Sequence, residues 1–507
     1  MNSIELSLFQ HRIQALCEEM GAVLQGSAFS PNIKDRLDFS CAVFDANGAL
    51  CAQAAHIPVH LGSMAYAMAG IVAQVDWRPG DMIILNDPYL GGTHLPDVTL
   101  IAPIFTGPEL AAFVANRAHH ADIGAATPGS MPIARSLEEE GLVIPPTLIS
   151  RGGKPLPETL EYILSGLNNP ASGQADLSAQ ISANERGRRE LTRYIEQLGP
   201  GRFRAALDEV NDYAERLARA GLARLPRGEY YFEDCMDDDG LGREDIVLRA
   251  TLHINDHVHV DFSGTDAQVP GNINCPLSVT AAAVYYCFYC LMPAETPPCA
   301  GSFRPLCLTV PPGCLLNARP PAAVAAGNVE TSTRIVDVVL GALARAMPEA
   351  IPAASHGSMN NIAMGARGWD YYETLGGGMG GGPHVAGGSA VQTHMTNTLN
   401  TPVEVVEMHY PLRIRRYAIR RGSGGAGRHP GGDGLQREYE FIQDTSVTLL
   451  SERRRHAPWG LHGGAGGRCG ENKLNGAPLP GKCQLHAAPG DRLLIDTAGG
   501  GGWGDGS

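Results

Sequence analysis

No run of some twenty apolar residues occurs in this 507-residue sequence. Nor does a positively charged start lead into an apolar core and a small-residue cleavage site. The expectation is a chain without a membrane span or secretory leader, working in the cytoplasm. Surplus positive charge is also missing: 39 Lys and Arg face 53 Asp and Glu, a formal net charge of -14. That balance argues against a nucleic-acid surface and favours solubility. Basic residues cluster at 413–421 and 453–455 and read as solvated strand faces, with contact to an anionic ligand or partner left open. A disulfide framework is absent too. The twelve cysteines are scattered, mostly within apolar runs, and in so long a chain read as reduced, mostly buried thiols. Cys287-Phe-Tyr-Cys290 has no matching second half-site and reads as core packing.

Familiar catalytic signatures are lacking as well. There is no GxxxxGK[ST], no GxSxG elbow and no HExxH helix. Gly422-Ser-Gly-Gly-Ala-Gly427 fits GxGxxG, but the following Arg428-His-Pro-Gly-Gly-Asp-Gly434 cannot open the helix that would hold a pyrophosphate. If ATP is used, this chain does not reveal where.

What is present is a mixed pattern of helix and strand, α+β in class. Phe9, Ile13, Leu16, Cys17, Met20 and Leu24 share one helical face. Short apolar runs at 39–44, 82–85 and 98–102 read as strands, and 176–225 as helical. Pro226-Arg-Gly228 marks a candidate boundary between a metal-site domain, 1–225, and a glycine-rich domain, 226–507, contributing to the pocket and partner interface. In the second part, 230–235 reads as strand, 246–262 as a hairpin about Asn255-Asp256, and 335–347 as helix. The 62 glycines fall in short blocks between strands, which suggests tight turns and backbone packed against backbone or ligand.

The densest chemistry lies in Asn86-Asp-Pro-Tyr-Leu-Gly-Gly-Thr-His94-Leu-Pro-Asp97 and, about twenty residues on, Asn116-Arg-Ala-His119-His120-Ala-Asp122-Ile-Gly124. Pro96 fixes its own φ and turns Leu95 away from helix, so that His94 and Asp97 can be aimed at one point. Imidazole and carboxylate together suit a borderline divalent ion such as zinc or manganese. The two segments therefore read as halves of one metal site.

These segments, with 33–40, 56–64, 139–146, 327–332, 372–374, 394–397, 421–425 and 460–464, resemble the hydantoinase B family. It includes B subunits of ATP-dependent N-methylhydantoinases and the C-terminal half of 5-oxoprolinase, with acetone and acetophenone carboxylase subunits more distant. The resemblance implies a B subunit whose A-type ATPase partner phosphorylates the carbonyl oxygen of a cyclic amide. Metal-activated water then opens the ring here, and the A and B components form a doubled heterodimer. It also implies metal ligands at Asp38, His94, Asp97 and His119, with His119 favoured over His120. His120, Asp122, Asp87 and His60 are candidates to orient ligands, and Asp122 or Glu140 to act as base. Glu330, Glu373, His394 and Asn397 are candidates for the substrate pocket. Two other readings stay open: a subunit of an ATP- and bicarbonate-dependent carboxylase, and a non-catalytic scaffold.

Overall fold

The first helix, α1 (Ser3–Ser27), starts where Asn2 and Glu5 cap each other: Asn2 Oδ1 accepts the Glu5 N–H at 2.8 Å, and Glu5 Oε2 accepts the Asn2 N–H at 3.1 Å. All six residues of its expected apolar face are buried. The computed structural model describes residues 1–54 and 57–506. Ala55, His56 and Ser507, and the side chain of Leu61, lie outside the described residues, and with them His56 of the 56–64 segment.

The helix covers a seven-stranded sheet built from β1 (Phe39–Asp45), β2 (Leu50–Gln53), β3 (Met82–Leu85), β4 (Asp97–Thr106), β5 (Glu109–His119), β6 (Thr147–Arg151) and β7 (Lys154–Pro155), in the order β2-β1-β5-β4-β3-β6-β7. The pairings among these strands are antiparallel. Both faces are covered, which is why the strands read as continuous apolar runs. Cys41, Val43, Val98, Leu100, Val114 and Ala118 pack towards α1 and the expected helical region, observed as α3 (Pro170–Leu198) and α4 (Pro200–Leu222). Alternate residues, among them Phe44, Ile101 and Phe113, pack on the opposite face against α2 (Pro58–Val72).

The chain leaves α4 through Pro226–Gly228 into a second sheet of β8 (Gly228–Asp238), β9 (Glu244–Ile254), β10 (Val258–Asp261) and β11 (Leu306–Thr309). β9 and β10 form the expected antiparallel hairpin. Helices α5 (Leu277–Tyr289) and α6 (Ser332–Ala346) complete this core. Packing crosses the expected boundary in both directions: Val324 joins the first core, and Ile57, Val59 and Met131 join the second. Beyond it lie β12 (Asn361–Ala366), β13 (Trp369–Thr374), β14 (Leu412–Arg420), β15 (Gly434–Phe441), β16 (Thr445–Leu450), β17 (Glu471–Leu474), β18 (Ala477–Leu479), β19 (Lys482–Ala487) and β20 (Arg492–Asp496). They form two further sheets, β13-β12-β16-β19 and β14-β15-β20-β17-β18.

The glycine blocks between these strands bond to one another directly. The Gly432 N–H donates to Met379 O at 2.8 Å, Gly500 N–H to Gly432 O at 2.9 Å, and Gly501 N–H to Ala354 O at 2.8 Å. A Cβ on Gly432 would lie 1.8 Å from Gly388 O, so no side chain fits between these segments.

Two expectations need correction. Cys287 is core, but Cys290 is exposed just past the end of α5. Arg453 and Arg454 are not on a solvated face. Arg453 is buried and bonds Asp234 at 2.7 Å and Asp337, while Arg454 bonds Asn360 at 2.8 Å. The charges of neighbouring carboxylates draw these arginines inward; the solvated description fits β14, where Arg413 and Arg416 are exposed.

Candidate metal centre

Strand register sets the site. Asp97 opens β4 directly opposite His119, which closes β5, and the His119 N–H donates to Asp38 O at 3.0 Å just before β1. Three strands thus bring Asp38, His119 and Asp97 to one end of the sheet. Val98 and Ala118 face α1, so by alternation Asp97 and His119 face α2, whose first turn carries His60. His94 comes from the turn before β4. Asn86 pins that turn, donating to Leu95 O and Leu142 O at 2.9 Å each.

His94 Nε2 and His119 Nδ1 approach Asp97 Oδ1 at 3.1 and 3.2 Å and each other at 3.3 Å. His60 Nε2 reaches Asp97 Oδ2 at 3.1 Å, and the Thr93 hydroxyl donates to the same oxygen. Asn328, on a π-helical turn at Gly327–Thr331, donates its amide to His94 Nε2 at 3.1 Å and Asp97 Oδ2 at 3.3 Å. The His119 ring stacks on Tyr372, centroids 4.6 Å apart, and the Tyr372 hydroxyl donates to Asn361 Oδ1 at 2.6 Å. His94, Asp97 and His119 are 0–2 % exposed.

Burial pulls the His94 imidazole down, but the Asp97 charge outweighs it and the net direction is up. For His119 burial wins and the direction is down, with Asp97 opposing. Burial opposes ionisation of Asp97 as well, yet the charges of His94 and His60 hold its carboxyl well below the usual range. The cluster therefore favours an ionised carboxylate among imidazoles that compete for a single positive charge.

The donors fit a metal ion. His94 Nδ1 lies 3.1 Å from Ala325 O, a pure acceptor, so the hydrogen sits on Nδ1. In neutral His94 the Nε2 lone pair then confronts the Asp97 carboxylate at 3.1 Å, an arrangement that calls for a proton or a metal cation between them. His119 Nε2 and Asn328 Oδ1 are buried without a hydrogen-bond partner. Turning the Asn328 amide over would present Oδ1 to a cation. The adjoining cavity, about 20 Å³ and lined by Asp38, His60, His119 and Asn328, has room for a single water-sized guest.

The sequence profile of the hydantoinase B/oxoprolinase family matches residues 2–506. The chain belongs to that family. A 5-oxoprolinase from Arabidopsis thaliana is 40% identical over 99% of this chain, which spans 42% of that protein's length. A putative B component of a D-/L-hydantoinase, from Pseudomonas sp., is 30% identical over 97% of this chain and 88% of its own. The crystal structure of an ATP-dependent caprolactamase from Pseudomonas jessenii superposes with a TM-score of 0.93 at 27% identity, covering all of this chain and 91% of its own. The fold is α+β, as expected of a hydantoinase B chain.

Among the residues expected to serve the hydantoinase B site, His94, Asp97 and His119 converge. Asp38 lines the same cavity one step back, 4.0 Å from His60 Nε2 and from Arg36 Nη2. His120 points elsewhere, its Nε2 2.9 Å from Gln180 Oε1 on α3. Asp122 accepts from the Asn169 N–H at 2.6 Å and holds the start of α3. Asp87 caps the short turn Pro88–Leu90. Neither contributes to the cluster. Glu140 is buried against backbone, accepting the Val324 and Ala325 N–H groups at 2.9 and 2.8 Å, so its part is to hold the loop that orients His94.

The expected pocket residues also separate. Glu330 accepts from Met359 N–H at 3.0 Å and Asn361 Nδ2 at 2.7 Å, two contacts behind His119. Glu373 follows Tyr372 on β13 and bonds Asn400 and Tyr439 on the far side, which removes it from the metal cavity. His394 Nδ1 lies 3.2 Å from the Tyr286 hydroxyl, and burial lowers its imidazole to about 4. Asn397 lines a separate cavity. Sequence reasoning missed Thr93, Asn328 and Tyr372. Asn328 lies in the same Gly327-Asn-Val-Glu-Thr331 segment as Glu330, whose carboxylate is the more conspicuous candidate there.

Proposed function

We propose that this chain is the ring-opening component of an ATP-dependent cyclic amide hydrolase, acting beside an ATPase partner that phosphorylates the amide oxygen. The observation that carries this reading is the convergence of His94, Asp97 and His119 in a chain that superposes along its whole length on an ATP-dependent caprolactamase. The partner is supported by the chain's span of only 42% of a 5-oxoprolinase and by the absence of a phosphate loop from its sequence.

His94 Nε2, His119 Nδ1 and Asp97 would hold the ion, zinc or manganese by donor type, with Asp38 completing the set from across the cavity. A bound divalent ion supplies Lewis acidity and brings the pKa of water towards ~7. The residues around it supply the rest. Tyr372 and Ala325 fix the two imidazoles. His60 Nε2, between Asp97 and Asp38, is placed to take the proton released by an attacking water. The Asn328 amide is placed to donate to oxygen as negative charge develops on the carbon under attack. Prior phosphorylation makes that carbon electrophilic enough for water, since the amide nitrogen no longer donates into a carbonyl.

The complex with its ATPase partner, assayed on hydantoin, 5-oxoproline and ε-caprolactam, should open at least one ring with ATP consumption and lose this activity on chelation. Full activity of the metal-free complex would remove the metal from the account. Strict dependence on bicarbonate, with a carboxylated product, would replace hydrolysis by carboxylation.

A further inference from the structure

The metal cavity is too small for a lactam ring, but it shares a wall with a larger chamber of about 320 Å³. Along the start of α2, Ile57, Val59 and His60 line the metal cavity while Pro58 and Gly62 line the chamber. Along the later segment, Thr396 and Thr398 line the first and Asn397 the second. The chamber's volume is in the range of small-molecule sites.

Its far wall is aromatic. Tyr285, Tyr286 and Tyr289 project from α5, and Tyr285 stacks on Phe303 with centroids 4.4 Å apart. No Asp, Glu, Lys, Arg or His is among the described residues that line it. One polar group stands out: Gln53, at the end of β2, is 5 % exposed and lines the chamber, yet its Oε1 has no hydrogen-bond partner. A buried acceptor without a donor is costly and is satisfied by a ligand N–H.

We propose that this chamber seats the ring of an uncharged cyclic amide, with Gln53 Oε1 accepting the ring N–H. The inference rests on the hydrolase reading above and narrows its substrate. Ring methylenes or an apolar substituent would be buried against the tyrosines. A free carboxylate, as on 5-oxoproline, would enter an uncharged lining with no cation to meet it. The substrate is therefore a plain lactam or an apolar-substituted hydantoin, although relatives of this chain are named 5-oxoprolinases.

Saturation-transfer NMR titrations of the metal-loaded protein test this with four probes: ε-caprolactam, N-methyl-ε-caprolactam, 2-pyrrolidinone and 5-oxoproline. ε-Caprolactam should bind about tenfold more tightly than its N-methyl analogue, which lacks the donor, and 2-pyrrolidinone about tenfold more tightly than 5-oxoproline. Gln53→Leu, with melting temperature and metal content unchanged, should erase the N-methyl difference. The comparison of probes on the wild-type protein stands even if that variant fails to fold. Equal binding of the N-methyl analogue, tighter binding of 5-oxoproline, or no binding of either neutral lactam would overturn the proposal. Turnover of the complex with the ATPase partner separates the two readings. The expected binding pattern without ATP-dependent ring opening removes the reaction and keeps the chamber; ring opening without the pattern removes the chamber alone.

Discussion

His94 and Ala325 stand 231 residues apart in sequence, yet the His94 Nδ1–H donates to the Ala325 carbonyl oxygen at 3.1 Å. That bond fixes the tautomer and turns the Nε2 lone pair towards Asp97 and His119. The carbonyl is itself held, because Glu140 accepts the N–H groups of Val324 and Ala325. A carboxylate from the first half of the chain thus positions a loop of the second half, which orients a ligand of the first.

Glu140→Ala should therefore weaken metal binding without removing a ligand. Loss of a group that orients a metal-bound histidine typically costs about 10–100-fold in affinity. Chelator competition on the folded variant measures this. Unchanged affinity would show that His94 needs no support from the 324–325 loop.

Stability should fall as pH rises through neutrality. Burial first, and then the Glu452 charge, push the Glu330 carboxyl from its ordinary 4.5 up to about 8; burial pushes Glu140 to about 8 as well. An acid with a raised folded-state pKa binds its proton more tightly when folded. Its contribution is fully present below about pH 4.5 and is lost as pH rises through about 8, with a limiting slope of about 1.4 kcal/mol per pH unit per proton. Glu330 Oε2 has no donor to stabilise a charge. Glu330→Gln should flatten the decline in melting temperature between pH 5 and 8.5, and an unaltered decline would assign it to other groups.

The glycine blocks should be intolerant of a single methyl group. A Cβ on Gly501 would lie 2.0 Å from Trp459 O, a backbone atom that cannot step aside. Gly501→Ala should cost more than about 3 kcal/mol or yield insoluble protein. Gly201, in the first turn of α4, has nothing within 4 Å of an added Cβ. Gly201→Ala should be neutral or stabilising by about 0.4–1 kcal/mol. Paired thermal melts decide, and equal tolerance at the two positions would contradict the packing argument.

How much of this was legible in the sequence depended on whether the signal was local. The α1 face, the β1, β3 and β4 runs and the β9–β10 hairpin follow from period and turn chemistry, and each lies where expected. His94 and Asp97 were readable because Pro96 makes their turn rigid, and His119 because it follows a strand with apolar alternation. The pocket residues were not. Tyr372 and Glu373 are neighbours in sequence, but a strand sends them to opposite faces, and only the fold says which face meets the metal cavity. Asn328 acts through a π-helical turn, which no hydrophobic period announces. Arg453 and Arg454 looked solvated because their partners Asp234, Asp337 and Asn360 lie far along the chain.

Metal content is the most direct test of the central claim. Wild-type protein, His94→Ala, His119→Ala and His120→Ala would be purified without added metal and measured by plasma mass spectrometry. The account predicts about one equivalent of a divalent ion in wild type and in His120→Ala, whose imidazole faces Gln180, and loss from the other two variants. Metal retained in folded His94→Ala and His119→Ala, or lost only from His120→Ala, would contradict it.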